Sequence, residues 1–129
     1  MKISVLKLLA TCLVLLAFMP NGKSFAVEIP EYVSQEIRFI SQRATNVHLV
    51  WGVNDWKLVP EEKQPPGTRL VEGNMHTPMQ QQDGFFVTRV ELAADSIIDF
   101  GFLSTEYING EPVSTWYADN GDDFHLTVT

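Results

Sequence analysis

The chain has 129 residues, a length that suits one domain with a single core. Nine Lys and Arg residues face 16 Asp and Glu residues, so the formal net charge at pH 7 is −7. Because binding to nucleic acids or anionic membranes depends on clustered positive charge, and no such cluster occurs in the sequence, the composition disfavours both partners and suits a neutral ligand.

The first 26 residues are predicted to be a secretory signal peptide. Lys2 and Lys7 form a short basic region, an apolar run extends from Leu8 to Met19, and Ser24-Phe25-Ala26 provides small residues in the pattern of a cleavage site. The apolar run is shorter than the roughly 20 residues of a membrane span, although an uncleaved N-terminal anchor is an alternative. We therefore expect a secreted or periplasmic protein with no membrane attachment after cleavage.

The mature chain, residues 27–129, is predicted to be a single β-sandwich domain. Removing 26 of the 129 residues leaves 103 and takes away Lys2, Lys7 and Lys23, so six basic residues face all 16 acidic ones. Cys12 is the only cysteine and is removed as well. The mature domain therefore has no disulfide, cysteine nucleophile or cysteine-ligated metal, and depends on packing for its stability.

Short alternating segments separated by turn residues predict an all-β fold. In chain order the predicted strands are residues 36–40, 46–51, 84–92, 96–104, 113–117 and 124–129, with a brief edge segment at 75–79. Pro65-Pro66-Gly67 predicts that the stretch from 60 to 74 is an irregular loop, and Asn109-Gly110 predicts a hairpin. Six or seven short strands in a chain of this length predict a sandwich of immunoglobulin-like size.

The sequence offers little that could bind a metal ion or another cofactor, and none is expected. The three histidines, His48, His76 and His125, are far apart and lack the spacing of a metal-ligand pair. An acidic cluster near the C-terminus does not follow the spacing of an EF-hand loop. It is expected to be a solvated loop, with a weak calcium site as the alternative; its members are Asp119, Asp122 and Asp123.

Catalytic groups are also sparse, and we expect the protein not to be an enzyme. A glycosidase needs two carboxylates across a sugar-binding cleft, and Asp99 with Glu106 is the pair that could be nominated. Asp99 lies between Ile98 and Phe100, which fits an outward-facing strand residue. The sequence contains no Ser/His/Asp arrangement and no Gly-x-Ser-x-Gly motif.

The aromatic residues are more informative. Trp51 falls on the same strand face as Val47 and Leu49 and is predicted to be core, whereas Trp56 follows an Asn-Asp turn and is predicted to face a partner. Trp116 and Tyr117 are adjacent on a strand, so one of them is expected to be exposed. An exposed ring can stack on the apolar face of a pyranose, with hydroxyl partners nearby. Candidate hydroxyl partners are His48, Asn54, Asp119 and Asn120.

The run from Val47 to Trp56, VHLVWGVNDW, resembles the strand–turn–Asn-x-Trp signature of starch- and glycogen-binding modules. These are carbohydrate-binding families 25, 26, 48 and 53, which have an immunoglobulin-like early-set fold. Trp56 and Trp116 occupy the places of the two stacking tryptophans in the family-48 pattern. In the family-25 pattern His48 matches a strand histidine, and the second aromatic matches Trp116 or Tyr117. The resemblance implies non-catalytic binding of an α-glucan-like polysaccharide by His48, Asn54, Trp56, Trp116, Tyr117, Asp119 and Asn120.

A second resemblance concerns the ligand and the partner. Segments similar to GNMHTPM (73–79) and IDFGF (98–102) occur in bacterial surface-polysaccharide proteins, which implies a glycan other than starch and a protein partner in such a system. Two other functions are left open. One is a structural or protein-interaction module, without sugar binding, of an envelope or polysaccharide assembly system. The other is a small secreted enzyme inhibitor.

Overall fold

The computed structural model describes residues 31–119 and 121–129 in full. Before residue 31 it gives three backbone strands, β1 (Ile3–Leu9), β2 (Leu13–Phe18) and β3 (Ser24–Ile29). The predicted leader with Cys12 therefore lies outside the residues whose side chains are described, and so does Asn120.

The described chain is almost entirely β-strand, which confirms the predicted all-β fold. The strands are β4 (Tyr32–Ile40), β5 (Asn46–Val53), β6 (Arg69–Val71), β7 (Asn74–Pro78), β8 (Gln80–Gln82), β9 (Phe85–Ala93), β10 (Ile97–Ile108), β11 (Glu111–Tyr117) and β12 (Phe124–Thr127). A short 3₁₀ turn occupies Glu61–Lys63. Within the described residues, no helix has the length and apolar character needed to cross a membrane.

Two antiparallel sheets form a β-sandwich. The first has the order β1-β4-β9-β8, and the second has the order β11-β10-β5-β7-β6; β2 and β3 pair with each other. Strand β10 is the centre of the second sheet. It pairs with β5 along one side, while β11 and β12 divide its other side between them. The gap between β11 and β12 lies beside Gly101, where the loop from residue 118 to 123 leaves the sheet.

The core lies between the two sheets and is made by the alternating apolar residues of both. Trp51 is fully buried there, which confirms its predicted core role, and its indole N–H donates to Thr77 Oγ1 at 2.9 Å. Burying apolar side chains of this size supplies most of the driving force for folding. The largest members are Ile37, Phe39, Phe86 and Leu92 from the first sheet, and Leu49, Trp51, Met75, Ile98 and Phe102 from the second.

The hairpin prediction is confirmed, but the prediction for residues 60–74 is wrong in part. Asn109 and Gly110 have φ of 53° and 81° and join β10 to β11 as a two-residue turn. The predicted loop contains the 3₁₀ turn and β6, and Glu72 and Gly73, both with positive φ, make a second tight hairpin into β7. Strand β7 pairs with both β5 and β6, so it is an interior strand and not an edge segment.

Candidate functional site

The second sheet has one face that packs on the core. Its opposite face, which points away from the core, is the outer face. Because successive side chains of a strand point to opposite faces, the residues between the core residues belong to the outer face. The pairing register places them side by side. They are His48, Val50 and Gly52 of β5, His76 of β7, Asp99, Gly101 and Leu103 of β10, Trp116 of β11, and His125 of β12.

Trp116 lies on this outer face, over Gly101. It pairs with Leu103, and a Cβ atom at position 101 would fall 2.3 Å from both Cζ2 and Cη2 of its ring. The indole therefore fills the space that a side chain at position 101 would take. Even so, 45% of Trp116 is exposed to solvent. A large, partly exposed ring is thus held in place on the central strand of the sheet.

Tyr117 faces the opposite way. Its ring packs against Phe39 of the first sheet with centroids 5.2 Å apart, and the residue contributes to the margin of the core. Of the two adjacent aromatics, Trp116 is therefore the one on the outer face. The expectation that Tyr117 could stack on a ligand does not fit this inward orientation.

The turn that precedes Trp56 has an unusual backbone. Asn54, Asp55 and Trp56 have φ of 47°, 77° and 64°, three successive residues in the left-handed region. This conformation is uncommon for residues other than glycine and for Trp in particular. The turn is closed by two backbone hydrogen bonds of 2.8 Å between Val53 and Lys57. It folds back over Gly52, where a Cβ would lie 2.5 Å from Trp56 Cα.

Asp99 holds this turn in place. Its Oδ2 accepts hydrogen bonds from the backbone N–H groups of Asp55 (2.9 Å) and Trp56 (3.0 Å), and His125 Nδ1 donates to its Oδ1 at 2.5 Å. Burial alone would raise the pKa of Asp99, but the hydrogen bonds from Trp56, His125 and Asp55 outweigh it and lower that pKa. The carboxylate is therefore ionised at neutral pH, although only 3% of the residue is exposed.

The indole of Trp56 is held at the start of β12. Its N–H donates to Asp123 Oδ2 at 3.0 Å. Asp123 directly precedes Phe124, the first residue of β12, which pairs with Phe100 of β10. Trp116 lies over Gly101, the residue after Phe100. Trp56 is only partly exposed and its N–H is engaged, so Trp116 presents the freer of the two rings.

Asp99 and Glu106 do not form a glycosidase pair. They are seven residues apart on the single extended strand β10, a separation of about 23 Å at roughly 3.3 Å per residue. Cleavage of one glycosidic bond requires carboxylates no more than about 10 Å apart. Asp99 faces outward from the sheet, as predicted, and is covered by the turn that it holds.

The remaining predicted residues are distributed around this face. His48 lies on it and pairs with Pro78 on one side and Leu103 on the other. Asn54 uses its Oδ1 to accept from Ile97 N–H at 3.0 Å, so its carbonyl supports the turn. Asp119 is exposed and forms an isolated backbone bridge with Asp122 in the loop after β11. Among the described residues, no group of three or more His, Cys, Asp or Glu side chains is placed to hold a metal ion.

Two histidines and one arginine lie together on the far side of the outer face. His48 and His76 are diagonal neighbours on β5 and β7, and Arg69 of β6 pairs with His76. Burial and the charge of Arg69 lower the pKa of His48. Burial, with His48 and Arg69 nearby, lowers the pKa of His76 against the opposing effect of Glu72. Both imidazoles are therefore neutral at neutral pH.

These histidines predict a loss of stability in mild acid. The unfolded chain protonates them near pH 6.5, the ordinary value, while the folded domain resists protonation until lower pH. The free energy of unfolding should therefore fall as the pH drops below about 6.5, and this loss should end once the folded pKa values are passed. Urea unfolding between about pH 7.5 and 5.5 should show this slope. It should be flatter in a His48→Gln, His76→Gln double variant; an equal slope would contradict the prediction.

The sequence analysis did not single out Gly52 and Gly101, the two glycines against which Trp56 and Trp116 pack. Gly52 and Gly101 are glycines inside strands, where glycine weakens the strand and often marks close approach of another group. That signal was available in WGV and DFGFL. The role of His125 had no local signal, because its partner Asp99 is 26 residues away in sequence.

Comparison with protein families gives a match, whereas no curated protein and no solved structure matches the chain. The family model described as the alpha-glucan water dikinase 1 Ig-like N-terminal domain matches residues 19–128. This agrees with the immunoglobulin-like sandwich seen here, and it does not assign any of the four carbohydrate-binding families that the VHLVWGVNDW segment resembles. The chain therefore belongs to the family of the alpha-glucan water dikinase 1 Ig-like N-terminal domain.

Proposed function

We propose that this protein is an exported, non-catalytic carbohydrate-binding domain that binds an α-glucan-like chain on the outer face of the second sheet. The observation that carries the proposal is the Trp116 ring, partly exposed and seated over Gly101. The predicted signal peptide of the protein, residues 1–26, supports export to a periplasm or to the outside of the cell.

The surroundings of Trp116 suit a wet, hydroxyl-rich ligand. An indole ring offers an apolar face to the C–H groups of a sugar, while nearby polar side chains bond its hydroxyls. His48 lies one pairing position away, next to Leu103, and the side chain of His125 is 58% exposed beyond Gly101. Trp56 adds a second indole at the start of β12, and Asp119 follows β11, with Asn120 next in the sequence. A sugar chain could therefore contact rings and polar groups together.

The family supports an α-glucan as the ligand class. The family is named for alpha-glucan water dikinase 1, in which the Ig-like domain stands at the N-terminus. Under the proposal, the domain contributes binding and not chemistry. The net charge of −7 fits an uncharged glucan better than a phosphate-rich polymer.

Replacing Trp116 with alanine should weaken glucan binding by at least about tenfold, since aromatic anchors at a binding surface commonly contribute around 2 kcal/mol. The free energy of unfolding should change little, because the ring lies outside the core. Calorimetry or native affinity gels with amylose and glycogen measure the first effect, and cellulose and a bacterial exopolysaccharide test the glycan class. Thermal unfolding measures the second.

Tyr107→Ala is the matched control for this variant. Tyr107 is an aromatic on the β10–β11 hairpin and is 61% exposed, so the variant removes a similar ring four residues further along β10 than Leu103, the pairing partner of Trp116. The control should retain full glucan binding. The proposal fails if the wild-type protein binds none of the glycans, or if the Trp116 and Tyr107 variants bind equally well.

A protein-interaction role is the second candidate, and a different surface favours it. The β10–β11 hairpin extends past the end of β5, whose pairing with β10 stops at Thr105. Its free part exposes Tyr107, Ile108 and Val113. Exposed apolar residues grouped on a projecting ribbon are typical of protein contacts. In that case Tyr107→Ala, and not Trp116→Ala, would reduce binding to a partner of the polysaccharide system.

A further inference from the structure

A cavity of about 460 Å³ lies on the other sheet, away from the tryptophans. Its floor is formed by the outward residues of β4, β9 and β8. One wall is formed by prolines of the long segment between β5 and β6 and by Pro78. The lining includes Glu36, Arg38, Pro65, Pro78, Gln80, Gln82 and Arg89.

The proline wall is firmly attached. Thr68 Oγ1 donates to the Pro65 carbonyl at 2.6 Å and also bonds Thr77 Oγ1 at 2.8 Å. Gly67, with φ of 81°, packs so closely on the Pro78 ring that a Cβ there would lie 2.8 Å from Pro78 Cγ. Proline rings also restrict their own backbone. The cavity is thus bounded by rigid chain segments.

Two arginines converge on one buried carboxylate at the floor. Arg38 Nε donates to Glu36 Oε1 at 2.5 Å, and Arg89 donates to Oε2 from Nε at 3.2 Å and from Nη2 at 3.0 Å. Glu36 is 3% exposed. Burial would raise the pKa of Glu36, but the two guanidinium groups lower it, so the carboxylate stays ionised and orients both arginines.

This arrangement leaves guanidinium donors facing the cavity. Both Nη groups of Arg38 and the Nη1 group of Arg89 make no hydrogen bond to any described residue. Arg38 is further steadied over the Phe85 ring, 4.7 Å from its centroid. Exposed amides of Gln80 and Gln82 complete the lining. Paired arginines of this kind bind planar carboxylates through parallel N–H bonds.

The local charge balance favours a single carboxylate group at the two arginines. Two guanidiniums and one carboxylate leave a single excess positive charge in a chain that is otherwise acidic. Just beyond Arg89, the neighbouring depression is lined by Glu62 and by Glu91, which pairs with Lys63. These acidic groups would oppose a doubly charged phosphate more than a carboxylate.

We propose that this cavity is a second ligand site, which binds a carboxylate-bearing sugar such as a uronate residue of an acidic polysaccharide. The arginines hold the carboxylate, and Gln80 and Gln82 bond the ring hydroxyls. The site lies on the sheet opposite Trp116 and does not depend on α-glucan binding there.

Calorimetry with trigalacturonate, near physiological salt, tests this site in the wild-type protein. Trigalacturonate should bind at least about tenfold more tightly than its methyl ester, since a hydrogen bond to a charged group contributes more than tenfold in affinity. The methyl ester is the neutral ligand of equal length, and glucose 6-phosphate tests a phosphate instead. Trp116→Ala should leave trigalacturonate binding unchanged, which separates this site from the glucan face.

Two substitutions in the cavity lining test whether trigalacturonate binds there. Arg38→Gln removes the free guanidinium while Arg89 still pairs with Glu36, and Gln80→Glu adds a negative charge at an exposed position. Each should weaken trigalacturonate binding at least about tenfold. Gln81→Glu adds the same negative charge at the neighbouring position, which is outside the cavity lining, and should have little effect on trigalacturonate binding. Equal binding of acid and ester, or equal affinity of the Gln80 and Gln81 variants, overturns the proposal even if Arg38→Gln does not fold.

Discussion

Replacing Asp99 with alanine should lower the free energy of unfolding by roughly 3 kcal/mol, the largest effect expected from a single side chain outside the core. The variant leaves the N–H groups of Asp55 and Trp56 without their acceptor. It also removes the partner of His125. Without this carboxylate, the strain of three successive residues with positive φ is offset only by the backbone bonds between Val53 and Lys57 and by the contacts of Asn54 and Trp56, and the turn should relax.

Denaturant unfolding at neutral pH measures the loss, and amide hydrogen exchange should show faster exchange at residues 55 and 56. The difference between wild type and Asp99→Ala should shrink in strong acid. The pKa of Asp99 is lowered from 3.8, so its contribution is complete above that pH and disappears as the pH falls through the folded value. Asp119→Ala, which removes an exposed aspartate, is the control and should be near neutral. A loss of less than about 1 kcal/mol, with unchanged exchange, would show that Asp99 does not hold the turn.

Gly52→Ala and Gly101→Ala add the same methyl group to adjacent strands of one sheet, yet they should behave differently. At position 52 the new Cβ meets the backbone of Trp56 at 2.5 Å, and backbone cannot move aside without opening the turn. We expect a loss of about 3 kcal/mol of unfolding free energy. At position 101 the Cβ meets the far edge of the Trp116 ring, and a side chain can swing away.

Gly101→Ala should therefore change the free energy of unfolding by less than about 1 kcal/mol, because alanine also suits a strand better than glycine. Its effect should appear in binding, since the displaced indole no longer lies over β10. Glucan affinity should fall toward that of Trp116→Ala. Parallel denaturant unfolding and calorimetry on the two variants separate the outcomes. If Gly52→Ala is as stable as Gly101→Ala, the close approach of the turn to the sheet is wrong.

The two proposed sites use different chemistry on the two outer surfaces of one sandwich. Trp116 with His48 and Trp56 offers rings to a neutral chain, while Arg38 and Arg89 offer guanidiniums to a carboxylate. A polysaccharide with both neutral and acidic sugars would contain a partner for each.

Local features of the sequence predicted the architecture well. Alternation of apolar residues is a property of each strand alone, so it identified the β-sandwich and the core position of Trp51. Asn109-Gly110 predicted its hairpin because both residues accept positive φ at low cost. The segment from 60 to 74 was harder, because Glu72 is not typical of a left-handed position and pairing with β7 decides its conformation.

Tertiary structure decided the site. Alternation along the strand shows that Trp116 and Tyr117 point to opposite faces of the sheet. It does not show which of the two points toward the other sheet. The contact between the rings of Tyr117 and Phe39 identifies Tyr117 as the inward residue. The Asn-Asp turn was visible in the sequence, whereas its support by Asp99 depends on a strand more than 40 residues later. Gly52 and Gly101 have no side chain, which leaves room above the sheet at both positions. The backbone of Trp56 occupies the room above Gly52, and the ring of Trp116 occupies the room above Gly101. Strand pairing decides this, because it brings residues that are distant in sequence next to these glycines.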